Sequence, residues 1–398
     1  MRTEVYDHAV AGHWDGAFDE NGFQYWVEGL REHLNRPAVD LGLVFMSTAY
    51  RRHAAAVLEI LRVHGHVRLL AGCSGTRLIS GSEEIEDKPG VVVGLHDLPG
   101  AELKACRFVQ AQVEECEGED YWHGQTGVEP DETNGWLVFA DPFTLDSETW
   151  LAQWNRAFFS VPTVGGLASG GDQQTGTQVY LNGSVYDEGG VAISVGGGVR
   201  VEALISQACT PIGQPWTITK ADGNYILQIG NRPAYQVLVE TFNALPREQK
   251  KLAEGNLLVG FVADEYKEEY CRGDFLIRNL LGGDPQSGVI AVGARVRPGQ
   301  SLQFQCRDPV AASADMNALL QRARHRLGEA EVYGACLFSC AGRGSEFFGF
   351  NNHDASLVQQ HLGPVALTGF FCNGEIGPVS GRACLHGYSA SLALFAQQ

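Results

Sequence analysis

Hydrophobic and polar positions along the chain switch between two periods, and the order in which they switch returns. Phe23, Trp26, Val27, Leu30 and Leu34 recur at three- and four-residue spacing ahead of Pro37, predicting an amphipathic helix closed by a breaker. The apolar run 41–46 predicts a buried strand. Ala54, Val57, Leu58 and Leu61 predict one face of a helix, and 67–71 a second strand. That strand runs into Gly72-Cys73-Ser74-Gly75. After a polar stretch, segments 90–96 and 103–109, joined through Pro99-Gly100, are expected to form a hairpin.

The same order then repeats. Leu137-Val138-Phe139-Ala140 echoes Leu43-Val44-Phe45-Met46, a helix follows with Trp150, Leu151, Trp154 and Phe158 inward, and the glycine-rich 164–170 stands where 70–75 stood. Segments 189–194 and 199–205 repeat the hairpin. Two fainter copies follow: a third in 258–261 with a hairpin of 288–293 and 302–305, and a fourth in 333–338, the helix around Leu357, Val358 and Leu362, and segments 365–371 and 389–395. Between the first two copies, 114–134 is acidic and short of apolar residues apart from Tyr121 and Trp122, which predicts a solvated loop. The Asp222-Gly223 turn and Arg232-Pro233 mark a boundary near residue 230. The expected organisation is an N-terminal helical adaptor segment, 1–36, and two domains, 37–230 and 231–398. Strand and helix alternate before each hairpin, so the expected fold is α/β with α+β character: layered mixed sheets flanked by helices, with right-handed crossovers.

Composition narrows the function classes. At 398 residues the chain exceeds the roughly 250 to 300 at which single cores stop growing. Forty-seven acidic against 29 basic residues leave a formal charge of −18, which repels phosphate backbones and anionic headgroups, so neither nucleic acid nor membrane is an expected partner. The first residues lack the apolar stretch of a signal peptide and no run approaches the 18 or so apolar residues of a spanning helix, so the expected location is cytosolic. Ten cysteines scattered through a chain of this size read as reduced thiols. Forty-nine glycines, well above the usual ~7%, imply tight turns and close backbone approaches.

Three strand-end loops concentrate small and polar residues: Gly72 to Gly75, Gly165 to Gly170, and Phe370 to Gly377. Such loops are where α/β sheets place ligands. The blander reading makes their glycines simple turn formers. Arg343, between Gly342 and Gly344, can meet a carboxylate bidentately, and Glu375 can meet an amine; together they suit a zwitterionic amino acid. The competing reading pairs the two with each other. Cys340 activated by His386 and Arg343 would make a nucleophile, but no hydrolase motif accompanies it, and small buried thiols are the simpler account. No C-x-x-C pair, P-loop or strand-linked G-x-G-x-x-G is present, so neither metal nor nucleotide cofactor is expected.

The second half carries a more specific pattern. Gly273-Asp-Phe-Leu-Ile-Arg278, 288–293, Gly299-Gln300, Arg307-Asp308, Phe338-Ser-Cys-Ala-Gly-Arg-Gly344, Gly369-Phe-Phe-Cys-Asn-Gly-Glu-Ile-Gly-Pro378 and Leu385-His386-Gly387 resemble the FIST C-terminal domain. Ala71-Gly-Cys-Ser74, 165–168 and 189–192 resemble the FIST N-terminal domain, and the likeness spans about 38–390. It implies a sensory, signal-transducing protein that binds a small ligand such as an amino acid. With no room for a fused output domain, the signal is expected to pass through a protein partner. Position by position, the resemblance implies Cys73, Ser74, Gly166, Cys340, Arg343, Asn373 and Glu375 as ligand-binding residues, with no catalytic assignment. The alternatives are a cysteine-dependent hydrolase or transferase acting on a small amide or ester, and a ligand-free interaction scaffold.

Overall fold

The computed structural model describes residues 1–34 and 36–398; Asn35, in the 1–36 segment, lies outside them. The chain is a mixed α/β protein with two compact units. The larger holds 1–205, 316–385 and 389–398, the smaller 206–315 and 386–388.

The larger unit is built on three parallel strand pairs, each bridged through a helix. Val39–Met46 pairs with Val67–Ser74 across helix Ala54–Val63; Gly135–Ala140 with Thr163–Leu167 across Ser147–Ala157; Val332–Cys340 with Leu367–Cys372 across His353–Leu362. These strands are almost wholly buried, which is why they read as unbroken apolar runs. Their registers coincide: Gly72 lies opposite Val44, Gly165 opposite Val138, and Gly369 opposite Leu337. At each of the three a Cβ would run into the partner's carbonyl oxygen, so only glycine fits. One residue further on, Phe45, Phe139 and Phe338 meet in a common core, with ring centroids 5.6 Å (45–139) and 6.0 Å (139–338) apart. The first, second and fourth copies read from the sequence are thus three equivalent motifs around one core.

After each pair the chain makes a hairpin that leaves its own sheet. Leu78–Ser80 with Glu83–Ile85 joins the fourth copy's sheet, Val179–Leu181 with Ser184–Tyr186 joins the first, and Glu375–Val379 joins the second. The exchange is cyclic and in matching register: Ile79, Tyr180 and Ile376 face Gly369, Gly72 and Gly165. The expected hairpins of 90–96 with 103–109 and of 189–194 with 199–205 do not form. Both edges of Gly90–His96 are taken, by Val39–Met46 and Ala9–Asp15, and those of Gly190–Gly197 by Gly135–Ala140 and Ala101–Phe108. No vacant edge remains for the next strand, which crosses to another sheet.

The N-terminal segment contains the expected helix, Glu20–Glu32, with Phe23, Trp26, Val27 and Leu30 buried and Asp19 capping Gly22 N. It also contains strands Arg2–Val5 and Ala9–Asp15, members of the first sheet that the helical reading of 1–36 lacked. The supposed loop 114–134 carries helix Asp120–Thr126. Its Trp122 is fully buried, with Nε1 donating to Gln153 at 3.2 Å.

The smaller unit has a different plan. Leu257–Val262 is flanked by Phe275–Asp284 and Ser301–Arg307, both antiparallel to it. The third copy is therefore no copy of the parallel motif, and Val289–Val292 pairs with Phe275–Asp284 and Tyr225–Ile229 instead of with 302–305. The hairpin at Asp222-Gly223 is present, with Asp222 opposite Tyr225.

Candidate functional site

At the carboxyl ends of the parallel strands of the larger unit, the three glycine-rich loops meet. Ser74 Oγ donates to Ser169 O at 3.0 Å, Ser169 N donates to Ser74 O at 3.0 Å, and Ser169 Oγ donates to Phe371 O. Asn373 N donates to Leu167 O at 3.0 Å. The loops converge, yet their polar groups are largely spent on fastening one another.

That lacing decides where the sequence-selected residues stand. Cys73 is fully enclosed in the central core, where burial pushes its thiol up. Gly166 faces Cys372, Phe338 and Phe370, any of which an added Cβ would approach to 3.1–3.2 Å. Ser74 is buried; Cys340 is partly exposed and in register with Cys372, and Asn373 is exposed. Arg343 and Glu375 are enclosed, each with partners of its own.

Arg343 follows the strand ending at Cys340, and its backbone N–H closes a tight turn on Cys340 O at 2.8 Å. Its guanidinium grips Asp354 with both prongs, Nε to Oδ2 and Nη2 to Oδ1, each at 2.7 Å. The carboxylate that meets this fork is therefore Asp354 of the chain itself. Ser339 Oγ also donates to Asp354 Oδ2 at 3.1 Å, and His353 Nδ1 lies 2.8 Å from Oδ1. Phe348 covers the group, stacked on His353 at 3.5 Å with the Arg343 guanidinium 5.1 Å from its ring centre. Burial alone would raise the Asp354 carboxyl, but Arg343 and His353 hold it well below the usual carboxylate range.

Asp354 is the second residue of helix His353–Leu362, and the helix N-terminus receives a further carboxylate. Asp354 N and Ala355 N donate to Glu84 Oε1 at 2.8 and 3.0 Å. Glu84 lies on the exchanged hairpin of the first motif, 270 residues away. Burial, then repulsion from Asp354, push its carboxyl up to about 7. The same hairpin is pinned nearby. Arg77 Nη1 donates to Glu86 Oε2 at 2.6 Å and Nη2 to Ala341 O, the guanidinium lies 4.4 Å from the Phe371 ring centre, and Ser345 N donates to Glu86 Oε1 at 2.8 Å.

Glu375 is a separate, closed inclusion. Its Oε2 accepts from Ser389 N at 3.1 Å and Ser389 Oγ at 2.7 Å, while Cys372 Sγ lies 3.2 Å from Oε1. Burial pushes this carboxyl up to about 7 as well.

On the far side of Glu84 a cavity of about 350 Å³ opens between the hairpin, with Glu83, Glu86 and Lys88, and the strand carrying His13 and Asp15, with Asn351 and Asn352 closing it. None of these residues was selected from the sequence. The one signal there was the acidic run Glu83-Glu84-Ile85-Glu86-Asp87, which without its fold reads as a solvated surface. Among the described residues no cluster of three or more His, Cys, Asp or Glu forms a metal site, and no helix is long and apolar enough to cross a membrane.

Comparison with known proteins gives a consistent picture. The FIST N domain model matches residues 40–232 and the FIST C domain model residues 234–378. An uncharacterized protein of Mycobacterium bovis is 36% identical over 92% of this chain and 92% of its own length. One of Mycobacterium tuberculosis is 35% identical over 92% and 93%. Among solved structures, a cyanuric acid hydrolase is 9% identical, with 98% of this chain and 99% of that chain covered, at a TM-score of 0.37; another, from A. caulinodans, is 10% identical over 98% and 99% at 0.33. At that level these two carry no argument about activity.

Proposed function

The chain belongs to the FIST family, and on that premise we propose that it is a sensory, signal-transducing protein of the cytoplasm that receives a small polar ligand in the cavity beside Glu84 and relays it to a protein partner. FIST domains are sensory domains, which supports the class. One observation carries the location. The cavity wall, Glu84, is also the cap of helix His353–Leu362 and reaches Arg343, in the segment that resembles the family's C-terminal domain, through Asp354. An occupant that changes the charge or position of Glu84 therefore acts on the helix cap and on a buried ion pair at once.

An amino acid remains a ligand of fitting size and polarity. With the Arg343 fork engaged by Asp354, its carboxylate would meet Lys88 and its amine Glu84. Arg343 then supports the site from beneath, Cys73, Ser74, Gly166 and Glu375 hold the strand ends in place, and Cys340 and Asn373 remain accessible beside them. Reduced thiols such as Cys73, Cys336 and Cys372 suit a cytoplasmic setting.

A thermal-shift panel of amino acids, amines and small acids tests this, because a ligand bound only by the folded state raises the unfolding midpoint by mass action. At least one compound should raise it, and Asn351→Trp, which places an indole in the cavity mouth, should abolish the rise. A panel without any shift, or a shift unaffected by Asn351→Trp, would refute the reading.

A further inference from the structure

The cavity beside Glu84 has a chemical preference written into its hydrogen bonds. Glu84 is 7% exposed, and only Oε1 is engaged, by the two helix N–H groups; Oε2 accepts no hydrogen bond from the described residues. Oε2 is not sealed in the core; it is the part of Glu84 left open to the cavity, and the cavity is the side from which a donor can reach it. The neighbouring acids differ. Both oxygens of Glu86 are taken, by Arg77 and by Ser345 N, and Glu83 is paired with Arg2. Across the cavity, His13 is 7% exposed, its Nε2 has no partner, and burial lowers its affinity for a proton, so at neutral pH it adds no positive charge. Exposed Asp87 adds a negative charge at the rim; of the cations lining the cavity, Arg2 is paired with Glu83 and the N-terminal ammonium of Met1 with Asp15, which leaves Lys88.

Resting on the ligand-binding reading above, we propose that this cavity takes an alkylammonium group, with Glu84 Oε2 as its anchoring acceptor. The group carries three N–H donors and one positive charge on an apolar stem. It supplies what Glu84 lacks and leaves the Oε1 bonds to the helix intact. A carboxylate or phosphate in the same place would face Glu84 and Asp87 with no donor matched to the vacant oxygen. A simple amine and the α-amine of an amino acid share this chemistry, and the probes separate the two sources.

Ethylammonium chloride, glycine, sodium acetate and ethanol, each against sodium chloride at equal ionic strength, are titrated into the full chain at about pH 8, above the value near 7 of the Glu84 carboxyl, with thermal midpoint and calorimetry as readouts. Ethylammonium should raise the midpoint. Glu84→Gln should weaken it about ten-fold or more while keeping the helix cap, since the amide oxygen still accepts from Asp354 N and Ala355 N. Asp87→Asn, at an exposed position, should weaken it about two-fold by charge alone, and it serves as the reporter if Glu84→Gln does not fold. A glycine response, with or without one to ethylammonium, assigns the ammonium to amino acids; ethylammonium alone assigns it to simple amines. If acetate or ethanol binds in a manner abolished by Asn351→Trp while neither ethylammonium nor glycine does, the ammonium inference falls and the ligand reading stands. If no probe and no member of the wider panel binds, both fall. Equal ethylammonium affinity in wild type and in both charge variants also overturns the inference.

Discussion

Glu375 and Glu84 are two carboxyls of the larger unit that burial pushes up to about 7, yet they sit in opposite kinds of surroundings. Glu375 has Ser389 on one oxygen and Cys372 on the other, all within the last motif, and no exposure. Glu84 has one oxygen on the N-terminus of a helix from another motif and the other facing a cavity. A similar perturbation thus arises in a closed inclusion and in an open one. A raised carboxyl alone does not mark a site; its unused hydrogen-bonding capacity does.

The sharpest test of that contrast is the ion pair beneath Glu84. Asp354→Ala should destabilise the larger unit by about 3–5 kcal/mol, because it strands the buried Arg343 guanidinium. Tryptophan fluorescence in a urea titration reports it well, since Trp14, Trp26, Trp122, Trp136, Trp150 and Trp154 lie in that unit and only Trp216 in the other. A loss below about 1 kcal/mol would mean that the cluster is open to water.

The closed acid should show itself through pH. The folded state holds the Glu375 proton more tightly than the unfolded chain does, so its contribution to stability is complete below the unfolded value near 4.5 and is lost as pH rises through about 7. His96 works in the opposite direction. Burial lowers it to about 4, so its contribution is present above its ordinary value near 6.5 and disappears as pH falls towards 4. Comparing Glu375→Gln with wild type cancels the histidine. The variant should gain about 3 kcal/mol on wild type between about pH 4 and pH 8, and a flat difference would contradict a closed site.

Glu84→Gln should show the same sign with a smaller amplitude, under about 2 kcal/mol, because the group borders the cavity and is coupled to Asp354. Its main effect should be on ligand response. Asn373→Ala, at an exposed position, should stay within about 0.5 kcal/mol of wild type, and a larger loss would show that this loop bears more of the strand-end lacing than its backbone bond to Leu167.

Much of the fold could be read from the chain. The apolar runs 41–46, 67–71 and 137–140 and the helix face of Ala54, Val57, Leu58 and Leu61 follow from local periodicity and lie within Val39–Met46, Val67–Ser74, Gly135–Ala140 and Ala54–Val63, and the resemblance of the second copy to the first reflects a shared register that requires glycine at 72 and 165. The fourth copy is fainter because 341–352, with its own short helix Ser345–Phe348, separates its first strand from its helix, where the other two have only 47–53 and 141–146. The third was illusory because an apolar run like 258–261 has the same pattern whether its neighbours are parallel or antiparallel. The exchanged hairpins were invisible for a related reason: a strand pairs where an edge is vacant, and vacancy is a property of the assembled sheet.

The site divides along the same line. Local sequence chemistry by itself singled out Arg343 and Glu375 as charged residues set among glycines, placed the chain in its family, and fixed its acidic balance, since each of these depends only on residue identity and short-range order. The tertiary structure decided that Arg343 meets Asp354, that Glu375 is sealed by Ser389, and that Glu84 caps a helix 270 residues away beside a cavity. Desolvation and ion pairing depend on which groups are brought within a few ångströms and shut off from water. In this protein the cyclic exchange of hairpins between sheets brings Glu84 to that helix.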